Sequence, residues 1–109
     1  MKIFKFLLIV FFVSLCSNFK SFSDEAMMKK GLEIFNETAG CAACHVLKAA
    51  GSEGNIGPNL DTVEGLNYDS VVDIVTHGLG VMPAFGEDEI LTKNQIDIVS
   101  FYVANSAGK

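Results

Sequence analysis

The chain of 109 residues contains no arginine. Its eight basic residues are all lysines, and they are outnumbered by 13 acidic residues. Nucleic acids and anionic membrane surfaces are bound by clusters of positive charge, which a chain of this composition does not offer. The charge balance therefore argues against both kinds of partner. It favours a protein partner with a basic patch instead.

Side chains that bind metals are also scarce, because the sequence has two histidines and three cysteines. A zinc site with four ligands would need a second Cys/His pair at similar spacing to the first. No segment is rich in strand-forming residues, so the strand–helix unit around a thioredoxin-like cysteine pair is not expected either.

Long apolar runs are absent as well. Even the apolar run near the N-terminus, residues 6–15, is too short to span a bilayer comfortably. It follows a lysine-bearing start and precedes Ser21 and Ser23, two small residues at the positions that a signal peptidase reads. This pattern predicts a secretory signal peptide over residues 1–23 and a domain over residues 24–109. A retained membrane anchor and a lipid-anchored Cys16 are the alternatives.

Cleavage after Ser23 would leave five lysines against 13 acidic residues, a net charge of −8, and Cys41 and Cys44 as the two remaining cysteines. These two belong to the segment Cys41–His45, in which two cysteines separated by two residues are followed at once by histidine. The spacing is typical of covalent c-type haem attachment. The two thiols add to the two vinyl groups of the porphyrin, and His45 ligates the iron.

Three other interpretations of the two cysteines remain open at this point: a disulfide, a thioredoxin-like redox pair and half of a zinc site. The adjacent histidine and the missing strands favour haem. A covalently held apolar macrocycle would also supply part of the interior that so short a chain cannot build by itself.

The remaining chain predicts three helices and two loops. Ser23 or Asp24 is expected to cap a first helix that runs to about Glu37. Asn67 is expected to cap a second helix from Tyr68 to His77, which ends at Gly78. The pair Thr92 and Gln95 forms a capping box for a last helix through about Ala104. Its buried stripe is predicted to be Ile96, Val99, Tyr102 and Val103.

The second axial ligand of the iron is predicted to be Met82, in the glycine-flanked apolar loop 78–86. A core methionine would sit in a periodic helical segment, and Met82 does not. His77 is the competing ligand, although a histidine at a helix C-terminus often interacts with free carbonyls. A labile or open sixth position is the third possibility.

Several motifs occur in the order and spacing of one known family, namely Gly31 and Phe35, Cys41–His45, Gly57–Leu60, Val81–Phe85 and Tyr102. With them the chain resembles a class I cytochrome c of the short, acidic, monohaem bacterial type. The resemblance implies a small all-α fold in which the N- and C-terminal helices cross and helices and loops enclose the haem. It also implies one haem c, bound through Cys41 and Cys44, and a hydrogen bond from His45 to the carbonyl of Pro58.

The function implied is that of a periplasmic one-electron carrier and not an enzyme. Its partners would be redox proteins that dock over the thioether edge of the haem and the Met82 loop, without stable membrane insertion of the mature chain. The alternative is the cytochrome subunit of a periplasmic sulfite or alcohol dehydrogenase. A small peroxidase and a thiol–disulfide oxidoreductase are more distant alternatives.

Overall fold

The structure is a computed structural model that describes residues 23–109, so the predicted signal peptide lies outside the described residues except for Ser23. Helix α1 covers residues 23–33 and continues as a π-helical turn, Ile34–Thr38. The elements that follow are the 3₁₀ turn Cys41–Ala43, strand β1 (Val46–Leu47), the 3₁₀ turn Lys48–Ala50, strand β2 (Ser52–Glu53), helix α2 (Tyr68–His77) and helix α3 (Lys93–Ser106).

The first helix differs from its prediction at its N-terminal end. Ser23 and Asp24 are already helical, so the expected N-cap at either residue is wrong. At the other end the chain widens into the π turn, in which the N–H of Ala39 donates to the carbonyl of Ile34 at 2.9 Å. Gly40, with φ of 70°, then ends the helix where the sequence predicted.

Helices α2 and α3 form where the capping residues predicted them. The Asn67 side chain accepts from the backbone N–H of Ser70 at 2.9 Å, and the Ser70 hydroxyl accepts from the Asn67 N–H at 3.0 Å. Thr92 and Gln95 make the same reciprocal pair at the start of α3. Such caps stabilise a helix by about 1 kcal/mol each. Helix α3 extends two residues beyond the predicted Ala104, to Ser106.

The helices of the two ends of the domain cross at a glycine, as the resemblance implied. A Cβ atom at Gly31 would overlap the Cβ of Tyr102 and lie 3.1 Å from the carbonyl oxygen of Ile98. The absence of a side chain at Gly31 therefore permits the close approach of α1 to α3. Beside this crossing the rings of Phe35 and Tyr102 pack at a centroid distance of 6.1 Å and an angle of 58°.

A short antiparallel hairpin follows the cysteine motif, and the sequence did not predict it. Val46 pairs with Glu53 and Leu47 with Ser52. The Ser52 hydroxyl accepts from the backbone N–H of Leu47 at 2.9 Å, which secures the buried end of the pair. Two residues per strand are too few to produce an alternating apolar pattern, so periodicity could not reveal them.

The core lies between α1, α2 and α3 and extends to the hairpin and the loop after α2. All four residues of the predicted α3 stripe are buried in it. Its members are Ile34, Phe35, Leu47, Val75, Phe85, Leu91, Ile96, Val99, Tyr102 and Val103. Across residues 23–109, no helix combines the length and apolar character that a membrane span requires.

Candidate haem-binding site

The cysteine motif folds into one tight turn. The 3₁₀ helix Cys41–Ala43 starts after Gly40, and the carbonyl of Cys41 accepts from the N–H groups of Cys44 at 3.1 Å and His45 at 3.0 Å. Because both N–H groups bond to the same carbonyl, the two cysteines and the histidine lie within a single turn. The conformation is the helical turn that haem attachment requires of this spacing.

The two thiols are free and half-buried, so this structure contains no disulfide between Cys41 and Cys44. Desolvation by burial raises the pKa of Cys41 to about 11. A thiol–disulfide oxidoreductase depends on a cysteine with a lowered pKa, because the thiolate is the nucleophile. The environment of Cys41 is the opposite of that, which argues against the redox-pair interpretation.

The imidazole of His45 is oriented by the segment that follows the hairpin. Its Nδ1 lies 2.7 Å from the carbonyl oxygen of Pro58. Because a carbonyl can only accept, Nδ1 carries the proton and donates it, and Nε2 is left with its lone pair for a metal. Metal-ligating histidines characteristically make this kind of hydrogen bond through their second nitrogen.

Two glycines allow this arrangement: Gly57, which begins the motif Gly57–Leu60, and Gly54, which belongs to no motif of the family resemblance. A Cβ at Gly57 would lie 2.5 Å from Cε1 and 2.9 Å from Nδ1 of His45, so the imidazole packs directly on the Gly57 backbone. A Cβ at Gly54 would lie 2.7 Å from the carbonyl of Ala43. At Gly54, only the three-dimensional contact shows why a residue without a side chain is needed.

Met82 lies in the predicted loop after α2, in a tight turn closed by an isolated bridge between Leu79 and Met82. The N–H of Met82 donates to the carbonyl of Leu79 at 3.0 Å, and Gly78 and Gly80 adopt positive φ values of 75° and 59°. The Met82 side chain is half-buried and packs against the core. Its neighbour Val81 is 89 % exposed.

His77, the competing ligand, is engaged elsewhere. Its Nδ1 lies 2.5 Å from a carboxylate oxygen of Glu87, and its Nε2 lies 3.7 Å from one of Asp73. The hydrogen bond to Glu87 raises the pKa of His77. An imidazole whose two nitrogens both face carboxylates favours the protonated form, which has no lone pair for iron.

Other sites for metals are not found in residues 23–109, where no group of three or more His, Cys, Asp or Glu side chains could hold an ion. The zinc interpretation of the cysteine motif therefore has no further ligands in the described chain. The acidic residues Glu87, Asp88 and Glu89 are exposed and form a solvated turn before α3.

The residues present fit a haem group. Two free thiols and an imidazole with an available Nε2 meet in one turn, which is the donor set for covalent attachment and one axial bond. Several apolar side chains at the margin of the core are only half-buried and would gain burial from an apolar macrocycle. These are Leu60, Leu66, Val71, Val72 and Met82.

Comparison with known proteins identifies the family. The family model described as cytochrome c oxidase, cbb3-type, subunit III matches residues 26–103. The chain belongs to this cytochrome c family. A comparison with curated proteins gives no match.

A solved structure agrees with this membership. The chain is similar to the c-type cytochrome SorU from Sinorhizobium meliloti, with 42 % identity and a TM-score of 0.70. The similarity covers 78 % of this chain and 95 % of SorU. The expected resemblance to class I monohaem cytochromes c is thereby confirmed, and with it the role of a c-type cytochrome electron carrier with covalently bound haem.

Proposed function

We propose that this cytochrome is an exported periplasmic one-electron carrier that holds a single haem c through Cys41 and Cys44. His45 and Met82 are its axial ligands in this proposal. The observation that supports it best is the 2.7 Å hydrogen bond from His45 to Pro58, because it leaves Nε2 as the metal-binding nitrogen of a histidine adjacent to two free thiols.

Each residue has a distinct part in this proposal. The haem, when bound, supplies an iron couple that gains and loses one electron. The Pro58 carbonyl fixes the tautomer and orientation of His45, and the Met82 thioether favours ferrous iron and so raises the reduction potential. With His45 and Met82 both holding the iron, no position would be left for oxygen or peroxide, and the chain would act as a carrier and not as an enzyme.

Export rests on the sequence of the leader. We expect mass spectrometry of the purified chain to give the mass of residues 24–109 plus one haem, because Ser21 and Ser23 provide the small residues for cleavage. A variant with Ser21 and Ser23 both replaced by bulky Leu is the control and should retain the leader. An intact leader on the functional wild-type protein would contradict the proposal of a periplasmic carrier released from the membrane.

Docking of redox partners is proposed over the haem edge and the Met82 loop. The exposed apolar residues Leu79 and Val81 suit the centre of a small transient interface, being 70 % and 89 % exposed. Asp88 lines the same surface depression as these two residues. The negative charge around the loop would attract a partner with a basic patch and act mainly on the association rate.

We expect the bimolecular electron-transfer rate with a basic redox protein to fall steeply between low salt and 0.15 M, where charges beyond roughly 8 Å are screened. Asp88→Asn should lower the low-salt rate, and the reduction potential should hardly change. The matched control is Asp69→Asn. His77, at the C-terminal end of α2, lines the same depression as Asp88, whereas Asp69 lies near the N-terminal end of α2, about 12 Å from His77 at 1.5 Å per residue.

A salt-independent rate would refute electrostatic docking at this surface. The alternative function is that of the cytochrome subunit of a sulfite or alcohol dehydrogenase. It predicts a different state of the exposed residues Leu79 and Val81. A permanent complex would bury them, so the protein would co-purify with a catalytic subunit at high salt.

A further inference from the structure

Asp61 joins two parts of the chain that are far apart in sequence. Its Oδ2 accepts from the backbone N–H of Lys48 at 2.9 Å, and its Oδ1 accepts from the N–H of Gly108, 47 residues away, also at 2.9 Å. The carboxylate thus ties the segment after the cysteine motif to the C-terminal end of the described chain. Neither the family match nor the similarity to SorU gives this residue a role.

Asp61 also ends the segment that contains Pro58. Its own N–H donates to the side chain of Asn59 at 2.9 Å. On either side of Pro58, the N–H of Gly57 donates to the carbonyl of Cys44 at 2.8 Å and the N–H of Leu60 donates to the carbonyl of Val46 at 3.0 Å. Residues 57–61 therefore run alongside residues 44–48, with the His45–Pro58 contact between the attachment points.

We propose that Asp61 is a positioning residue for His45. By anchoring the end of segment 57–61 to Lys48 and Gly108, its carboxylate holds the Pro58 carbonyl against Nδ1 of the imidazole. A strong hydrogen bond at Nδ1 makes the ring a better electron donor, which stabilises ferric iron and lowers the reduction potential. Asp61 would thus tune the potential from a position that touches neither ligand. This inference rests on His45 being the iron ligand.

The charge of Asp61 suits this role. The two backbone N–H groups lower its pKa, with Gly108 the larger cause and Lys48 the second, so the carboxylate is ionised at neutral pH. Hydrogen bonds to an ionised acceptor are shorter and stronger than neutral ones. An asparagine at position 61 keeps the shape, but its amide nitrogen cannot accept, so it satisfies only one of the two N–H groups.

The test compares holoproteins of the wild type, Asp61→Asn and the control Glu64→Gln. Glu64 is exposed and makes no hydrogen bond in the described chain, so its variant measures the effect of losing one nearby charge. We expect Asp61→Asn to raise the potential by clearly more than Glu64→Gln does. The Nδ1 proton of His45, observed by NMR, should exchange with solvent faster in Asp61→Asn only.

A second variant, deletion of residues 108–109, separates the hydrogen bond from the charge. It removes the Gly108 donor and the positive Lys109 but leaves Asp61 ionised, so electrostatics alone would lower the potential. Our proposal predicts a rise in the potential instead, together with faster Nδ1 exchange. The deletion variant also serves as the test if Asp61→Asn assembles poorly.

Equal shifts in Asp61→Asn and Glu64→Gln with unchanged exchange would overturn the positioning role, and so would a lowered potential in the deletion variant. Failure of the proposed function would look different. In that case the wild type itself would lack a low-spin haem with a nitrogen ligand, before any variant is compared.

Discussion

Replacing Met82 by alanine is expected to lower the reduction potential by on the order of 0.1 V, within the range that axial ligands command. The thioether stabilises ferrous iron, and the turn that presents it is closed by the Leu79–Met82 bridge and packed on the core. The oxidised variant should also lose the sulfur-to-iron absorption band. Potentiometry with optical detection measures both.

The matched control is Val81→Ala, because Val81 is on the same turn but 89 % exposed, and it should leave the potential and spectrum unchanged. If Met82→Ala leaves both the potential and the low-spin spectrum intact, another residue holds the sixth position. His77→Gln would then identify the alternative, since His77 is the competing ligand. In our account His77→Gln leaves the spectrum unchanged, because its ring is engaged by Glu87 and Asp73.

Loss of both attachment cysteines should have the largest effect on folding. We expect Cys41→Ala or Cys44→Ala alone to give a weakly assembled holoprotein and the double variant to give an essentially unfolded chain without covalent haem. The buried apolar core of the described chain is only ten side chains. A core of that size rarely supplies more than about 3–5 kcal/mol by itself.

Circular dichroism during thermal unfolding and the mass of the intact protein check this expectation. Ala43→Ser is the control, because Ala43 is exposed between the two cysteines and its replacement keeps the motif. A double variant that still unfolds cooperatively as an apoprotein would show that the haem does not stabilise the fold.

Local sequence patterns predicted the parts of the fold that short-range physics decides. Helices α2 and α3 begin at Asn67 and Thr92 because each capping residue and its partner lie three positions apart. The Gly31 crossing and the buried face of α3 followed from helical spacing and from the family resemblance. The cysteine motif folds as the helical turn that its spacing required.

Features that depend on contacts distant in sequence could not be predicted in this way. The hairpin of Val46 and Leu47 is too short for a periodic pattern, and the packing of His45 on Gly57 is visible only once the loop is placed. The tie from Asp61 to Gly108 joins residues 47 positions apart, and no local pattern marks an aspartate in a loop as an anchor of the C-terminus. Tertiary structure alone reveals such contacts.

Covalent haem with His45 and Met82 as ligands is tested most directly by the absorption spectrum of the oxidised and reduced protein, purified from a periplasmic fraction. We predict a haem that stays with the chain on acid extraction, is low-spin in both oxidation states and shows the sulfur-to-iron band when oxidised. An extractable haem, a high-spin spectrum or titratable thiols at Cys41 and Cys44 without haem would contradict it.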